Sequence, residues 1–355
     1  MNNWNVAGKA QTVLGAIAPE NLGITLTHEH LLVDLSPVYN PSTTASERDF
    51  WERPVSVETL GRIRHYAAPN RDNAILSDIP TAIDAANLYK QYGGNSLVDA
   101  TSIGIARDPN GLARISRATG VNIIMGSSYY VAPAHPPDMD GRTEDAIMGE
   151  IVRDVTEGVD GTSIRSGIIG EVGCSWPLTD NERKVLRASA RAQRITGAPL
   201  LVHPGRDETA PLEIIEVLAE AGADLGRSIM GHLDRTVFLH ETLRRIAESG
   251  CYLEWDLFGK EESYYASNAK IDMPNDAKRM DDIAWAASEG HGRKIVVAHD
   301  ICSKNRLERY GGHGYHYLVG RIAGLMRDRG FSQELVDDIF VNNPRDALTF
   351  SAPQQ

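Results

Sequence analysis

Eight short apolar segments, separated by longer amphipathic stretches, constrain the fold of this chain more than any other feature of its sequence. Each segment reads as a continuous apolar run, which is typical of parallel strands that are buried on both faces. The eight segments occupy residues 23–28, 96–101, 121–126, 166–171, 198–203, 228–232, 251–256 and 294–299.

The stretches between these segments carry helix signals. Asp180 precedes a helical pattern that stops at Gly197, and Thr209 precedes another that ends at Gly222. A strand followed by a helix, repeated eight times, predicts an α/β fold, the closed (β/α)8 or TIM barrel, with a doubly wound open sheet as the alternative. No linker divides the sequence, so we expect one domain over residues 1–355.

A long insertion follows the first segment, at about residues 34–78, and it contains several prolines. In a barrel this insertion would lie at the C-terminal ends of the strands, where active sites form. Loops of this length are usually functional or disordered. Residues 258–276, after the seventh segment, are a second candidate lid.

The charge and the cysteines limit the partners of this chain. Its net charge is −12, which argues against nucleic acid and anionic membranes, because phosphate binding favours a basic surface. The negative net charge does not exclude a small anionic substrate, since a bound metal ion can dominate the local electrostatic potential. The three cysteines show no paired spacing, and the sequence shows no signal peptide and no membrane-spanning apolar run. We therefore expect a cytoplasmic protein with a small-molecule substrate, whose oligomeric state stays open, a homodimer included.

Four histidines and two carboxylates lie at the ends of five of the apolar segments, which converge on one face of a barrel. Taken singly, a histidine at a strand end is more often structural than a metal ligand. A carboxylate that ends an apolar strand is harder to explain without a cation, because its burial is costly. The six candidate ligands are His28, His30, Glu171, His203, His232 and Asp300.

The candidate ligands indicate the kind of metal. Imidazole and carboxylate groups without thiolate suit zinc, which is the expected ion, and also manganese, cobalt, nickel or iron. Six ligands are too many for one tetrahedral ion. The sequence therefore predicts two divalent metal ions per chain, which share a bridging carboxylate and a bridging hydroxide.

Five motifs resemble the phosphotriesterase family of the amidohydrolase superfamily, in the same order and along essentially the whole chain. They are THEHLLVD, GIIGEVG, LLVHPG, MGHLDR and VVAHD. The resemblance implies a TIM-barrel hydrolase with a binuclear metal centre. It implies these ligands: His28, His30 and Asp300 for the more buried ion, His203 and His232 for the more exposed ion, and Glu171 as the bridge.

The sequence departs from the best-known family members at the bridge, where they carry a carboxylated lysine and this chain has Glu171. The stretches GIIGEVGCSWPLTDNERKVL, DLFGKEESYY and ERYGGHGYHY are similar to the phosphotriesterase-related subgroup, whose vertebrate members cleave the amide of N-acetyltaurine. Family lactonases tend to have an arginine after the aspartate of the seventh strand, whereas Leu257 follows Asp256 here.

We expect hydrolysis of an acyl bond by a metal-bridging hydroxide, with Glu171 as the bridge and Asp300 as the group that moves the proton. The expected substrate is a small N-acyl amino or sulfonic acid such as N-acetyltaurine. A lactone, a carboxylic ester and a phosphotriester are alternatives, and a non-catalytic ligand-binding barrel is a remote one. Tyr130 corresponds to a tyrosine near the metals of family lactonases and is predicted to contact the substrate. Arg206 and Lys304 could pair with an anionic substrate group or be ordinary surface charges.

Overall fold

The computed structural model of the protein describes residues 6–39, 44–66, 69–261, 265, 267–268 and 270–354. Eight strands of this part form the barrel, and every neighbouring pair within its sheets is parallel. From the first to the eighth, the barrel strands are Thr25–Glu29, Ser96–Asp99, Asn122–Met125, Ile169–Gly173, Leu200–His203, Ser228–Met230, Tyr252–Trp255 and Ile295–Val297.

The barrel consists of one sheet of strands one to three and one sheet of strands four to eight. Hydrogen bonds join the two sheets at both seams. The amide of Gly167 donates to the carbonyl of Met125 over 2.9 Å at one seam, and the amide of Asp300 donates to the carbonyl of His28 over 3.0 Å at the other. The predicted TIM barrel is therefore confirmed, and the open doubly wound sheet is wrong.

A helix follows each barrel strand in the sequence. In order, these helices are Ile79–Gln91, Pro109–Thr119, Glu144–Thr156, Asp180–Thr196, Ala210–Glu220, His240–Glu248, Asp276–Ala286 and Ala323–Asp328. Further short helices are Leu233–Thr236, Gln333–Asp337 and Asn343–Leu348. Within the described residues, no helix combines the length and the apolar character needed to cross a bilayer.

The helix after the fourth strand shows how the sequence sets a boundary. Thr179, not Asp180 as expected, is its N-cap: the Thr179 hydroxyl accepts the amide of Glu182 over 3.2 Å. The Glu182 carboxylate accepts the amide of Thr179 over 3.0 Å, which completes a capping box. The helix ends at Gly197, whose φ of 72° favours glycine, as the sequence predicts.

A separate apolar cluster fills the barrel interior. It includes one fully buried side chain from each of five strands, namely Val98, Ile124, Leu201, Ile229 and Val296. Side chains two residues apart on a strand point to the same side, so His203 follows Leu201 towards the interior. Apolar side chains thus pack the interior of the barrel, and the histidines lie at the end formed by the C-termini of the strands.

The insertion at 34–78 contains two helices, Ala45–Trp51 and Val57–Tyr66. Residues 40–43 and 67–68 of this insertion lie outside the described part of the chain. The C-terminal part of the insertion contacts the loop after the eighth strand, where the ammonium of Lys304 pairs with Asp72 over 2.5 Å. This contact places the insertion at the C-terminal end of the barrel.

Candidate metal centre

His28 on the first strand and His30 directly after it are both buried at the barrel mouth. The Nδ1 atom of His30 lies 2.9 Å from the hydroxyl of Thr101, and that hydroxyl donates its one hydrogen to the carbonyl of Leu32 over 3.0 Å. The hydroxyl must therefore accept a hydrogen bond from Nδ1 of His30. In the neutral ring this leaves the lone pair of Nε2 facing the centre of the site.

His28 has one partnered and one orphaned ring nitrogen. Its Nδ1 lies 3.1 Å from an oxygen of Asp256 and 3.3 Å from an oxygen of Glu254. Its Nε2 is fully buried and makes no hydrogen bond to any described residue, although Glu171 lies 3.4 Å away. Buried polar atoms without a partner are rare and call for an explanation. A metal ion at this nitrogen would provide one.

Glu171 lies at the centre of the four histidines, at an irregular register of the fourth strand. One carboxylate oxygen, Oε1, is 3.2 Å from Nε2 of His30. The other, Oε2, is 2.8 Å from Nδ1 of His203, 3.4 Å from Nε2 of His28 and 3.6 Å from Nε2 of His232. This one carboxylate therefore faces imidazoles from three different strands.

The histidines that end the fifth and sixth strands face each other, with Nε2 of His232 lying 2.8 Å from Nδ1 of His203. Asp256 fixes His232, because it accepts both the backbone amide and Nδ1 of this residue over 2.8 Å. Arg235 fixes His203, because it donates to Nε2 over 3.1 Å. Each ring thus turns its remaining nitrogen towards Glu171.

Asp300 is the most exposed of the six predicted ligands, with 16% of its side chain accessible to solvent. Its Oδ1 lies 3.2 Å from Nε2 of His30. Its φ of 51° lies in the left-handed region, which is uncommon for a residue other than glycine and recurs at functional sites. The Glu29 carboxylate holds this conformation from both sides, since it accepts the amides of His299 over 2.8 Å and Ile301 over 3.0 Å.

The buried carboxylates and imidazoles of the centre shift each other's pKa values. Burial raises the pKa of Glu171, but the neighbouring His28 and His203 outweigh this and hold it well below its usual range. Burial lowers the pKa of His30, but hydrogen bonds to Asp300 and Glu171 outweigh this and raise it to about 10. Protons on imidazoles balance the ionised carboxylates, and a divalent cation would compete with those protons for the same nitrogens. The donor set therefore fits a metal site.

The structure brings all six predicted ligands together at the barrel mouth. In two triads every ligand atom lies within 4.8 Å of the others: His28 with His30 and Asp300, and His28 with Glu171 and His232. The first triad corresponds to the ligands predicted for the more buried ion. The second combines residues that were predicted to serve different ions. The role of each residue as a ligand stays a prediction.

Several residues that support the histidines were missed by the sequence analysis. Asp256 and Glu254 end the seventh strand, and the same rule that selected the other strand-end groups could have selected them. Thr101, Arg235 and Glu29 act through pairings between different strands and loops, which residue type and spacing do not reveal. Such residues around ligands set the orientation and the tautomer of the rings.

Tyr130 packs edge-to-face on His203, with 5.1 Å between ring centroids. This places it beside the centre, while its contact with substrate stays a prediction. Lys304 already pairs with Asp72, so its charge is neutralised. Arg206, by contrast, donates from Nε to the hydroxyl of Tyr265 over 2.7 Å and does not pair with a carboxylate among the described residues.

The sequence matches the phosphotriesterase family over residues 8–348. The chain belongs to the phosphotriesterase family. It is 45% identical to a phosphotriesterase-related protein of Nematostella vectensis, over 97% of this chain and 99% of that protein. It is 44% identical to an N-acetyltaurine hydrolase of Tetraodon nigroviridis, over 98% of this chain and 99% of that protein.

A solved structure extends the comparison to three dimensions. The crystal structure of a resiniferatoxin-binding protein from Rhodobacter sphaeroides superposes with a TM-score of 0.92 at 35% identity, over 96% of this chain and 95% of that chain. Membership of the family, together with relatives that are named hydrolases, makes this protein a metal-dependent hydrolase. The phosphotriesterase-related subgroup expected from the sequence is confirmed.

Proposed function

We propose that this enzyme hydrolyses the amide of a small N-acyl amino or sulfonic acid, such as N-acetyltaurine, at a centre of two divalent cations. Full-length similarity to a protein named N-acetyltaurine hydrolase supports the substrate class. The contacts of Glu171 with all four imidazoles carry the two-ion proposal, because a shared carboxylate is typical of paired metal sites. The proposed ligands are His28, His30, Glu171, His203, His232 and Asp300.

Bound divalent cations would supply water ionised near neutral pH and would polarise the substrate carbonyl. Asp300 is suited to proton transfer, because its carboxylate is the most accessible of the six predicted ligands and lies beside His30. In our proposal it accepts a proton from the attacking water and delivers it to the nitrogen of the leaving amine. An amide needs this delivery, since an amide anion is a poor leaving group.

Tyr130 is proposed to contact the substrate. Burial raises the pKa of its hydroxyl well above its usual range, and the nearby Glu171 raises it further. The hydroxyl therefore keeps its proton at neutral pH and can donate a hydrogen bond. Its ring packs on His203, which places this side chain beside the centre where the substrate would bind.

The test is a hydrolysis panel on zinc-replete enzyme with N-acetyltaurine, other N-acetyl amino acids, aliphatic lactones and a phosphotriester. We expect the largest kcat/KM among the N-acyl compounds, and about two metal ions per chain by elemental analysis. A lactone or phosphotriester that exceeds every amide would replace the proposed substrate class. A metal-stripped enzyme with full activity would refute the metal centre itself.

A further inference from the structure

Two cationic side chains surround one phenol beside the proposed metal centre. Arg206 lies in the loop after the fifth strand and Lys260 in the loop after the seventh. Arg206 donates to the hydroxyl of Tyr265 over 2.7 Å, and its guanidinium carbon lies 5.7 Å from the centroid of that ring. The Lys260 ammonium lies 5.3 Å from the same centroid. We call these two cations and Tyr265 the cationic cluster.

The cationic cluster has no carboxylate counter-charge within the part of the chain that the structure describes. Neither Arg206 nor Lys260 forms an ion pair there, and no described group accepts a hydrogen bond from the Nη atoms of Arg206. Among the described residues, only the hydroxyl and the aromatic ring of Tyr265 contact these two charges. Both cations are half-buried and neither has a carboxylate partner among the described residues, so the cluster can accept an anion.

Lys304 provides the contrast at the same end of the barrel. This lysine belongs to the loop after the eighth strand, and its ammonium pairs with Asp72 over 2.5 Å. Lys304 thus has a carboxylate partner among the described residues, whereas Arg206 and Lys260 have none there.

The cationic cluster adjoins the proposed metal centre on its His203 side. Arg206 follows His203 by three residues, and Tyr130 packs on the His203 ring at 5.1 Å. A third cation, Arg235, acts on both sites, since its Nη2 donates to Nε2 of His203 over 3.1 Å and its charge lowers the pKa of Tyr265. Arg235 is buried with its own neutral partners, so it holds His203 in place and leaves anion binding to Arg206 and Lys260.

We propose that Arg206 and Lys260 bind the anionic end of the substrate, a sulfonate or carboxylate, while the acyl group lies at the metal centre. This inference rests on the proposed function for the identity of the substrate. The planar guanidinium can offer two N–H groups to two oxygens of one anion, and the flexible ammonium adds a point charge. Electrostatic selection at this cluster would make the enzyme prefer anionic N-acyl compounds to neutral ones.

The binding test uses propane-1-sulfonate, titrated into zinc-replete enzyme by calorimetry. We expect the affinity to fall at least tenfold in Arg206→Met and in Lys260→Met, and to recover in part in Arg206→Lys. The matched control Lys304→Met should bind as the wild type does. All four variants should keep the metal content and the circular dichroism spectrum of the wild type, which separates loss of binding from misfolding.

The kinetic test compares N-acetyltaurine with N-acetylethanolamine, in which a neutral hydroxyl replaces the sulfonate. Arg206→Met should lose at least tenfold in kcat/KM for the anionic compound and little for the neutral one. Equal losses for both compounds, or wild-type sulfonate binding in both methionine variants, would overturn the cluster as an anion site.

The two proposals fail in different ways. Sulfonate binding that depends on Arg206, in an enzyme that hydrolyses none of the N-acyl compounds, would support the anion site and contradict only the proposed function. Hydrolysis of charged and neutral amides with equal kcat/KM, without sulfonate binding, would support the amide chemistry and overturn the anion site.

Discussion

Glu171 presents one oxygen to His30 and the other to His28, His203 and His232, so it connects histidines from three strands. The better-known relatives place a longer, carboxylated lysine at this position. A glutamate supplies the same carboxylate from a shorter side chain, and in this barrel it already lies 2.8 to 3.6 Å from the ring nitrogens.

We therefore expect Glu171→Gln to lose metal and to lower kcat by at least about a hundredfold, because the substitution keeps the shape and removes the shared charge. Elemental analysis and steady-state kinetics measure the two effects. Glu144→Gln is the control, since Glu144 pairs with Arg187 and Arg191 on the outer helices. Normal metal content and turnover in Glu171→Gln would make Glu171 a structural acid.

Asp256 is the second residue whose removal should be informative, because it holds both His232 and His28. Asp256→Asn should weaken metal binding by about 10- to 100-fold, the typical effect of removing a residue that hydrogen-bonds to a metal ligand. Competition with a chelator measures this affinity. The control is Asp154→Asn, a buried aspartate that pairs with Arg107 away from the centre, which should lower the Tm without releasing metal.

Tyr265 should titrate near neutral pH. Burial raises its pKa, but the charges of Arg235, Arg206 and Lys260 outweigh this and lower it from 10 to about 7. The ultraviolet absorbance of tyrosinate should therefore rise as the pH passes through about 7, and Tyr265→Phe should remove this transition. Arg206→Met removes one of the stabilising cations, so the transition should move to higher pH. A transition that is unchanged in Arg206→Met would contradict the contact between the two side chains.

The residue types explain which parts of the site were predictable. Histidines and carboxylates at strand ends are visible in the sequence, and all six predicted ligands meet at the barrel mouth. Nothing in the sequence marks Thr101 or Arg235 as functional. Only the fold places the hydroxyl of Thr101 against His30 and the guanidinium of Arg235 against His203. A role that depends on a hydrogen bond between distant segments leaves no local signal.

At the scale of single elements, helix starts give a measurable prediction. The Thr179 hydroxyl accepts the amide of Glu182, whereas Thr209 begins its helix without a side-chain cap. Thr179→Ala should therefore lower the free energy of unfolding by about 1 kcal/mol. Thr209→Ala is the matched control and should change it by a few tenths at most. Urea unfolding measures both, and equal effects would mean that the capping box contributes nothing.

The insertion shows where element prediction failed. Residues 34–78 carry several prolines, and the sequence predicts a long loop there. The structure contains the helices Ala45–Trp51 and Val57–Tyr66 between these prolines. Both are short, and helices of this length depend on packing against the rest of the protein, which local sequence does not report.

At the scale of the whole molecule, the proposed metal centre joins the two sheets of the barrel. His28 belongs to a strand of the three-stranded sheet and His30 follows the same strand, while Glu171, His203 and His232 belong to or follow strands of the other sheet. Backbone hydrogen bonds connect these sheets across the seams, such as the one from the amide of Asp300 to the carbonyl of His28. A metal ion bound by residues of both sheets would therefore stabilise the closure of the barrel.

Removal of metal by a chelator should consequently destabilise the entire fold and not only stop catalysis. A ligand that binds the folded state at about 100 times its Kd adds about 2.7 kcal/mol, so loss of each ion should lower the Tm measurably. Readdition of zinc should restore the Tm.

The affinity for zinc should depend on pH. The raised pKa of His30, about 10, means that protons compete with the metal for this imidazole, so zinc affinity should increase as the pH rises towards about 10.

Hydrogen exchange can locate this effect. After chelation, the amides of Asp300 and Glu171 should exchange faster, because they bond to the carbonyls of His28 and Ala100 across the seams. The amide of Gly197 bonds to the end of its own helix at the opposite end of the barrel and should change less. Equal acceleration at all three amides would indicate uniform loss of stability without a role of the centre in closing the seams. Unchanged exchange and an unchanged Tm, with metal removal verified by elemental analysis, would show that the barrel closes without its metal.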